Sequence, residues 1–452
     1  MSGVAIGAKE FMNLYLGIDF GTSGARAIAI DAEGRIHATA RCEYSIRDIS
    51  TWEAALFSLL EQMPFDVRQG LQAIAVDATS ATVLVTDAKG QPVSQPHIYS
   101  DACNAQIVDL VKTFAPAGHT VLSATSSLAK LVQAIAQLAD VDRATNQSNA
   151  PYYFLHQADW LSFLLHGNLG ISDYHNALKL GYDVAQLCYP DWLTHWLEAE
   201  LHRCQLEVQL PKVFVPGQAI SLLKPELAQK FGIHPHCWIC AGTTDSTAAF
   251  FASIGSSAPT VGAAVTSLGS TLVVKICSQV RLDDPRYGLY SHRLDTDREI
   301  LWLVGGGSNT GGAVLKQFFS DRELQEFSER IPASQPSHLD YYPLPSKGER
   351  FPVYDPDLLP RLTPRPDDPV EFLHGLLESM AKIEARGYEL LRSLGASPIA
   401  QIYTAGGGAK NAAWTDIRRR YLAVPLVPAI QTEAAYGTAL LAQQTILQPQ
   451  SM

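Results

Sequence analysis

Short apolar runs broken by Gly, Asp and Asn turns open the chain, and longer stretches with apolar residues three and four apart follow. Residues 14–20 (LYLGIDF) read as a first, buried strand. β-type runs at 25–31 and 36–44 come next, joined by the Ala32-Glu33-Gly34 turn. A helix is predicted near 52–62, then strands at 71–77 and 82–86 and a turn at 87–90, while residues 104–200 read as mainly helical. A second β-rich block begins at 237–241 and continues through 263–268, 271–277, 289–293 and 300–304. Helices are predicted at 311–319 and 370–394. Between them, residues 332–369 hold ten prolines in 38 positions, which demands an extended wrapping loop. A strand at 399–404, a helix from Asn411 and a last helix from Glu433 close the chain. The pattern predicts two similar α/β units in tandem, not one doubly wound sheet.

Composition sharpens this picture. A chain of 452 residues exceeds one ordinary core, so two domains are expected. Apolar residues make up 47% and charged residues 17%, against roughly 25% charged in an average soluble protein. The net charge of −11 argues against a nucleic acid or an anionic membrane as the main partner, and leaves room for a local phosphate site. Seven scattered cysteines fit a reduced, cytoplasmic protein better than a disulfide framework. Residues 1–11 carry Lys9 and Glu10 and no apolar run before a cleavage site, and read as a frayed extension, not a signal peptide. The most apolar region, 241–276, is interrupted by Asp245 and many Gly, Ser and Thr, as in a core and unlike a membrane span.

The two halves share one device. In the first, LGIDFGTSG (16–24) runs from strand through a tight turn into the strand 25–31; in the second, VTSLGST (265–271) makes the same step into 272–276. Glycines let backbone approach a phosphate closely, and neighbouring hydroxyls add donors. Two such hairpins facing each other would hold a polyphosphate from both sides.

At this point the chain resembles the FGGY carbohydrate kinases, within the larger group that includes actin, hexokinase and the large heat-shock chaperones. LGIDFGTSGARA (16–27) is similar to that family's first phosphate loop, AGTTDSTAAF (241–250) to the segment with its catalytic aspartate, and TSLGST (266–271) to its second phosphate loop. GGGSNTGG (305–312), YYPLPSKGERFP (341–352), TAGGGAKNAAW (404–414) and TEAAYGTAL (432–440) continue the match in family order. Within the family the chain is most similar to the short kinases of ketopentoses, D-ribulose kinases above all. Two elements depart from the pattern: Trp-x-Asp-x-Arg appears as Tyr99-Ser-Asp101-Ala-Cys103, and Lys-x-x-Trp as Lys130-Leu-Val-Gln133. Both lie on the sugar side.

The resemblance implies an α/β fold of two actin-like (ribonuclease H-like) domains flanking a nucleotide and sugar cleft. Residues 12–253 with 432–452 would form the sugar-side domain and residues 254–431 the nucleotide-side domain. It implies an ATP- and magnesium-dependent kinase of a small sugar, with transfer to the terminal hydroxyl of D-ribulose first and D-xylulose second.

A sugar hydroxyl is far too weak an acid for a carboxylate to deprotonate in the ground state. A carboxylate can orient it and accept its proton as the P–O bond forms. Asp245, after the strand 237–241 and the Gly242-Thr-Thr turn, matches the family's catalytic residue; read alone it is more readily a plain helix N-cap. Asp19, beside the Gly21-Thr22 turn, would hold magnesium through waters, with Asp245 as the other metal-side and substrate-side carboxylate. Arg26 falls where the family carries Lys or Arg. Gly21, Thr22, Thr243, Gly269, Ser270 and Thr271 are the implied phosphate-loop residues. Gly407, Gly408 and Asn411 sit at a strand–glycine–helix junction suited to adenosine, with Trp414 one turn on, which could cover the base but as a lone Trp on a helix is more often core. For the sugar, the matching positions are Asp19, Ser80 and Asp101, with Lys130, His175 and Asn176 as further candidates.

Rival readings are a nucleotide-driven assembly protein of the same core, for which little extra chain remains, and a sugar-binding sensor of low activity, suggested by the missing Trp and Arg. A dehydrogenase would need GxGxxG after the first strand, which is absent. Cys237-Trp-Ile-Cys240 has metal spacing but lies on a strand without a second pair, and His234-Pro-His236 reads as a turn.

Overall fold

The first strand, β1 (Leu14–Gly21), is buried along nearly its whole length because it lies between two other strands of a sheet that is covered on both faces. The structure, a computed structural model, describes residues 12–145 and 151–447; the extension expected over residues 1–11 falls outside them. In the first half β1 is followed by β2 (Gly24–Ile30), β3 (Ile36–Cys42), β4 (Leu71–Ala78), β5 (Val83–Thr86) and β6 (Tyr152–His156). Then come β7 (Ile171–Asp173), β8 (Val208–Gln209), β9 (Lys212–Phe214), β10 (Ala219–Leu222), β11 (Trp238–Cys240) and β12 (Thr243–Thr244). The second half has β13 (Ala263–Leu268), β14 (Leu272–Ser278), β15 (Tyr290–Asp295), β16 (Ile300–Ser308), β17 (Gln401–Ala405) and β18 (Leu426–Pro428).

The first main sheet runs β10-β11-β4-β1-β2-β3, with β12 paired to β4; the second runs β15-β16-β14-β13-β17-β18. The two are built alike. β1 pairs antiparallel with β2 and parallel with β4, and β13 pairs antiparallel with β14 and parallel with β17. In each half a hairpin leads, and a helical crossover returns a parallel strand beside its first member. The tandem α/β reading therefore holds at the level of strand order.

Each sheet carries its own core. Trp52, Leu56, Leu59 and Leu60 of the helix Ile49–Gln62 pack with Leu16, Ile18 and Phe20. Phe372, Leu373, Leu376, Leu377 and Met380 of the helix Pro369–Ser393 pack with Val274, Ile276 and Val304. A buried ion pair ties the second half together: Arg418 donates to both oxygens of Glu384 at 2.6 and 2.7 Å and to Thr404 Oγ1 at 2.9 Å. Its fork geometry satisfies the charges that burial would otherwise penalise.

The C-terminal helix Ala434–Leu447 lies on β1, β4 and the helix Asp245–Ile254, all of the first half. The two helices meet backbone to backbone at Gly437, where a Cβ atom would stand 1.9 Å from the Ala248 carbonyl oxygen; any larger residue would force them apart.

Several elements differ from the pattern-based expectation. Residues 104–200 include β6 and β7 among their helices; strands of five and three residues are too short to show a period of two against long helical spacing. The strand expected to stop at residue 304 runs to Ser308 through Gly305, Gly306 and Gly307. Those glycines stay in the sheet because the Phe351 ring lies against Gly306, where a Cβ would meet it at 2.4 Å. The helix expected over 311–319 is a single turn, Gly312–Leu315, and Asp321–Ser328 forms a second helix that starts on a Ser320–Glu323 capping box. The proline-rich stretch is indeed without helix or long strand between Ser328 and Pro369, and it delivers Leu339, Tyr341 and Phe351 into the second core.

Candidate active site

Three strand ends bring three carboxylates together. Asp19 on β1 and Asp77 on β4 are partners in parallel register, and Thr243 on β12 is the partner of Asp77 on its other side. Two residues after Thr243, Asp245 opens the helix Asp245–Ile254. Gly242 lets this turn press onto β4: a Cβ there would stand 2.0 Å from the Val76 carbonyl oxygen.

Asp245 is half-buried. Burial pushes its carboxyl up, opposed by the Ser246 amide, by the Lys275 and Lys179 ammonium groups and by the Ser80 amide. Its Oδ1 accepts from the Ser246 amide at 2.7 Å. The Ser80 contact places the loop after β4 directly beside Asp245. Asp19 is only 3% exposed, and burial together with the negative charge of Asp245 raises its carboxyl to about 6, against the pull of Asp77 and Arg26. Arg26, its antiparallel partner on β2, holds Asp19 Oδ2 at 3.4 Å and reaches Ser23 Oγ at 2.9 Å and Glu433 at 3.0 Å. Asp77 is fully buried, raised well above its ordinary value by burial and by Asp19, and bonded by the Thr438 hydroxyl. Tyr44 donates to the Gly21 carbonyl at 2.8 Å and braces the first turn.

The second half contributes charge. Lys275 on β14 donates its ammonium to the Ser246 carbonyl at 2.5 Å, in the first turn of the Asp245 helix. Burial lowers it to about 8, although Asp245 pulls the other way.

The two hairpin turns, Gly21–Thr22–Ser23 and Gly269–Ser270–Thr271, end β1 and β13 at equivalent places, with Thr22, Ser23 and Ser270 exposed. The second turn is anchored by the following glycines, since the Gly312 and Ala313 amides donate to the Gly269 and Ser270 carbonyls at 2.9 and 3.0 Å. Gly407 and Gly408 form a tight turn after β17; Gly407 is exposed, with open space around it, whereas Gly408 lies against the Trp414 ring. The Asn411 side chain is held within the protein: its oxygen caps the next helix at the Trp414 amide (2.9 Å) and its nitrogen donates to Ser328 Oγ (2.8 Å). Trp414, 2% exposed, belongs to the core of the second half and does not stand free to cover a base.

Of the positions expected to meet the sugar, Ser80 and Asp101 are half-buried. Asp101 is bonded by the Ile98 amide at 3.0 Å and gripped by Arg47, at 2.7 and 3.3 Å. Burial raises its carboxyl, and the Arg47 and Ile98 donors outweigh this and leave it below its ordinary value. Residue 103 is a cysteine, and the guanidinium that meets Asp101 comes from Arg47 in the loop after β3. Lys130 is 1% exposed and donates to the Ala81 and Ile98 carbonyls at 2.7 and 2.6 Å. It is a strut between the loops carrying Ser80 and Asp101, not a group open to a ligand. His175 and Asn176 are each 1% exposed and bond Thr243; their place is behind the Asp245 turn.

Sequence reasoning missed Asp77, Lys275 and Arg47. An acidic residue and a lysine inside the apolar runs LQAIAVDA and LVVKICS were visible signals; Arg47, 54 positions from Asp101, left none. Among the described residues no three His, Cys, Asp or Glu side chains converge as a metal-ligating group. Asp19 Oδ1 and Asp77 Oδ1 are buried without a hydrogen-bond partner among those residues, so Asp19 fits a cation held by one or two carboxylates, waters and phosphate oxygens. No helix among the described residues is long and apolar enough to cross a membrane.

Two family models match nearly end to end. The N-terminal domain of the FGGY family of carbohydrate kinases matches residues 14–252 and the C-terminal domain residues 264–445. Solved structures share the fold at low identity. A xylulose kinase from Bifidobacterium adolescentis aligns at 21% identity over 97% of this chain and 94% of its own, with a TM-score of 0.76. A gluconate kinase from Lactobacillus acidophilus aligns at 18% identity over 97% and 90%, with a TM-score of 0.76. A Plasmodium falciparum glycerol kinase with ADP aligns at 15% identity over 97% and 91%, with a TM-score of 0.79.

Proposed function

The chain belongs to the FGGY family of carbohydrate kinases, and on that premise we propose that it phosphorylates the terminal hydroxyl of a ketopentose, D-ribulose before D-xylulose. The observation that carries the reading is Asp245, half-buried between the Ser80 amide of the sugar side and Lys275 of the other half.

In this reading, residues 12–253 with 432–452 hold the sugar and residues 254–431 the ATP. Asp245 accepts a hydrogen bond from the acceptor hydroxyl and takes its proton as that oxygen bonds the γ-phosphorus and the bond to the ADP oxygen breaks. Burial helps, because a carboxyl above its ordinary value is a stronger proton acceptor. Magnesium, when bound, neutralises the phosphate oxygens; Asp19 would hold it, with Asp245 beside it. Arg26 keeps the Asp19 carboxylate in place. The turns with Gly21, Thr22, Gly269, Ser270 and Thr271 offer amides and hydroxyls to the phosphates. Gly407 leaves bare backbone for the adenosine, Gly408 lets the turn close onto the Trp414 ring beneath it, and Asn411 holds the start of the helix that follows.

The choice of a five-carbon ketose rests on the short side chains of Ser80 and Asp101, the second held by Arg47 and the Ile98 amide. The Arg47–Asp101 pair weighs against a sensor of low activity, because the guanidinium that reading lacked is present from another loop. The test is kcat/KM with saturating magnesium ATP for D-ribulose, D-xylulose, glycerol and gluconate. The pentuloses should lead, with D-ribulose ahead. A lead for glycerol or gluconate would overturn the pentulose reading, and a lead for D-xylulose its order.

A further inference from the structure

The helical turn Tyr174–Ala177 lies in the first half but touches both. His175 Nδ1 is 2.7 Å from Thr243 Oγ1, and its Nε2 is 2.7 Å from the Arg293 carbonyl oxygen on β15. A carbonyl can only accept, so Nε2 carries the proton and Nδ1 accepts from the Thr243 hydroxyl. Burial supports this neutral form by lowering the ring to about 4. The neighbouring Asn176 donates to the Thr243 carbonyl at 3.1 Å and to Asp173 at 2.6 Å. Thr243 is therefore held by its side chain and its backbone, two residues before Asp245.

The far end of this link is equally well anchored. Tyr174 donates its hydroxyl to Asp295 at 3.1 Å. Arg293 returns hydrogen bonds to the Val184 and Ala185 carbonyls at 3.1 and 3.2 Å. Tyr174, Ala177, Leu178, Tyr182 and Val184 form an apolar cluster against Tyr290 and Trp302 of the second sheet. The edge of that sheet is thus joined through one imidazole to the turn that presents Asp245.

We propose that His175 is a positioning residue that couples the placement of the second half to the orientation of Asp245. One rigid ring spans two points whose separation changes if β15 moves relative to β12. Movement of the second half then reaches Asp245 through Thr243, without His175 touching either substrate. The proposal rests on the reading of Asp245 as the acceptor-side carboxylate.

Three substitutions dissect the link. In His175→Asn the amide oxygen takes the place of Nδ1 and keeps Thr243 while releasing Arg293. In His175→Gln the amide nitrogen takes the place of Nε2 and keeps Arg293 while releasing Thr243. His175→Ala releases both. Because neither amide spans the gap, kcat should fall about 10- to 100-fold in all three, the scale expected of small misplacements at a reacting centre. The KM for ATP should stay within about twofold. Full kcat in His175→Asn or in His175→Gln would overturn the coupling, and so would kcat that follows only the folded fraction measured by calorimetry. If the His175 variants fail to fold, Thr243→Val cuts the same link from its other end. It should lower kcat as much with the KM for ATP unchanged, and an unchanged kcat would refute the proposal. Asp245→Asn is measured alongside; retained activity there would sink the base assignment, whatever the His175 series shows.

Discussion

Asp19 and Asp77 stand side by side in parallel register on β1 and β4, 3% and 0% exposed, and the Thr438 hydroxyl of the C-terminal helix bonds the second of them. The C-terminal helix Ala434–Leu447, packed on the helix that Asp245 opens, therefore supports the site from behind. A buried carboxyl depends on such a donor, since water cannot replace it.

Thr438→Val keeps the shape of the side chain and removes the donor. Leaving a buried polar group unsatisfied costs about 1–3 kcal/mol, so the midpoint of thermal unfolding should fall and kcat should fall with it, while Thr438→Ser should restore both. Calorimetry and initial rates check this together. A valine variant as stable and active as the parent would show that Asp77 does not need the hydroxyl.

Asp245→Asn should lower sugar phosphorylation by about 10²–10⁴-fold, the usual contribution of a positioned general base. Nucleotide affinity, read by fluorescence or calorimetric titration with ADP, should change little. Turnover near that of the parent would remove Asp245 from the chemistry.

Lys130 gives a pH signature. Burial lowers it to about 8, with Asp101 and Cys103 pulling it up and Lys179 pushing it further down; unfolded, it returns to about 10.4. Between those values the unfolded chain binds the extra proton, so stability contributed at this site rises with pH. The stability of the parent relative to Lys130→Met should therefore increase from about pH 8 to about pH 10. Paired denaturant titrations would measure it, and a difference that stays flat would contradict the depressed value.

Arg47→Met should act on the sugar and not on the fold. The Arg47–Asp101 pair is largely exposed on the Arg47 side, and exposed pairs contribute only about 0–1 kcal/mol. Released, the Asp101 carboxylate loses its orientation, so the KM for the sugar should rise several-fold while the unfolding midpoint stays within a degree or two. An unchanged KM would take Asp101 out of sugar recognition.

Much of this protein could be read from residue pattern alone. The continuous apolar run of β1, the turns GTSG and LGST, and the repeated hairpin-then-helix order are local features. Periodicity and turn chemistry reveal them because each depends on residues a few positions apart. Asp19 and Asp245 could be singled out for the same reason, each standing at the end of an apolar strand or beside a glycine turn. The boundaries that failed did so where distant packing overrode local preference. Gly305–Gly307 stay in a strand, with the Phe351 ring packed against Gly306.

The chain by itself determined two α/β units, their order and the residues at each turn, since these follow from local backbone preference and the burial of apolar faces. Only the tertiary structure decided which charges meet. Arg47 reaches Asp101, Lys275 reaches the Asp245 helix, and His175 joins Thr243 to Arg293, itself 118 positions from that arginine. Lys130 and His175, which the sequence offered as sugar ligands, are instead buried supports. The physical reason is that burial and hydrogen-bond satisfaction are properties of the closed packing. A polar side chain looks the same in sequence whether it will face a ligand or the back of a loop.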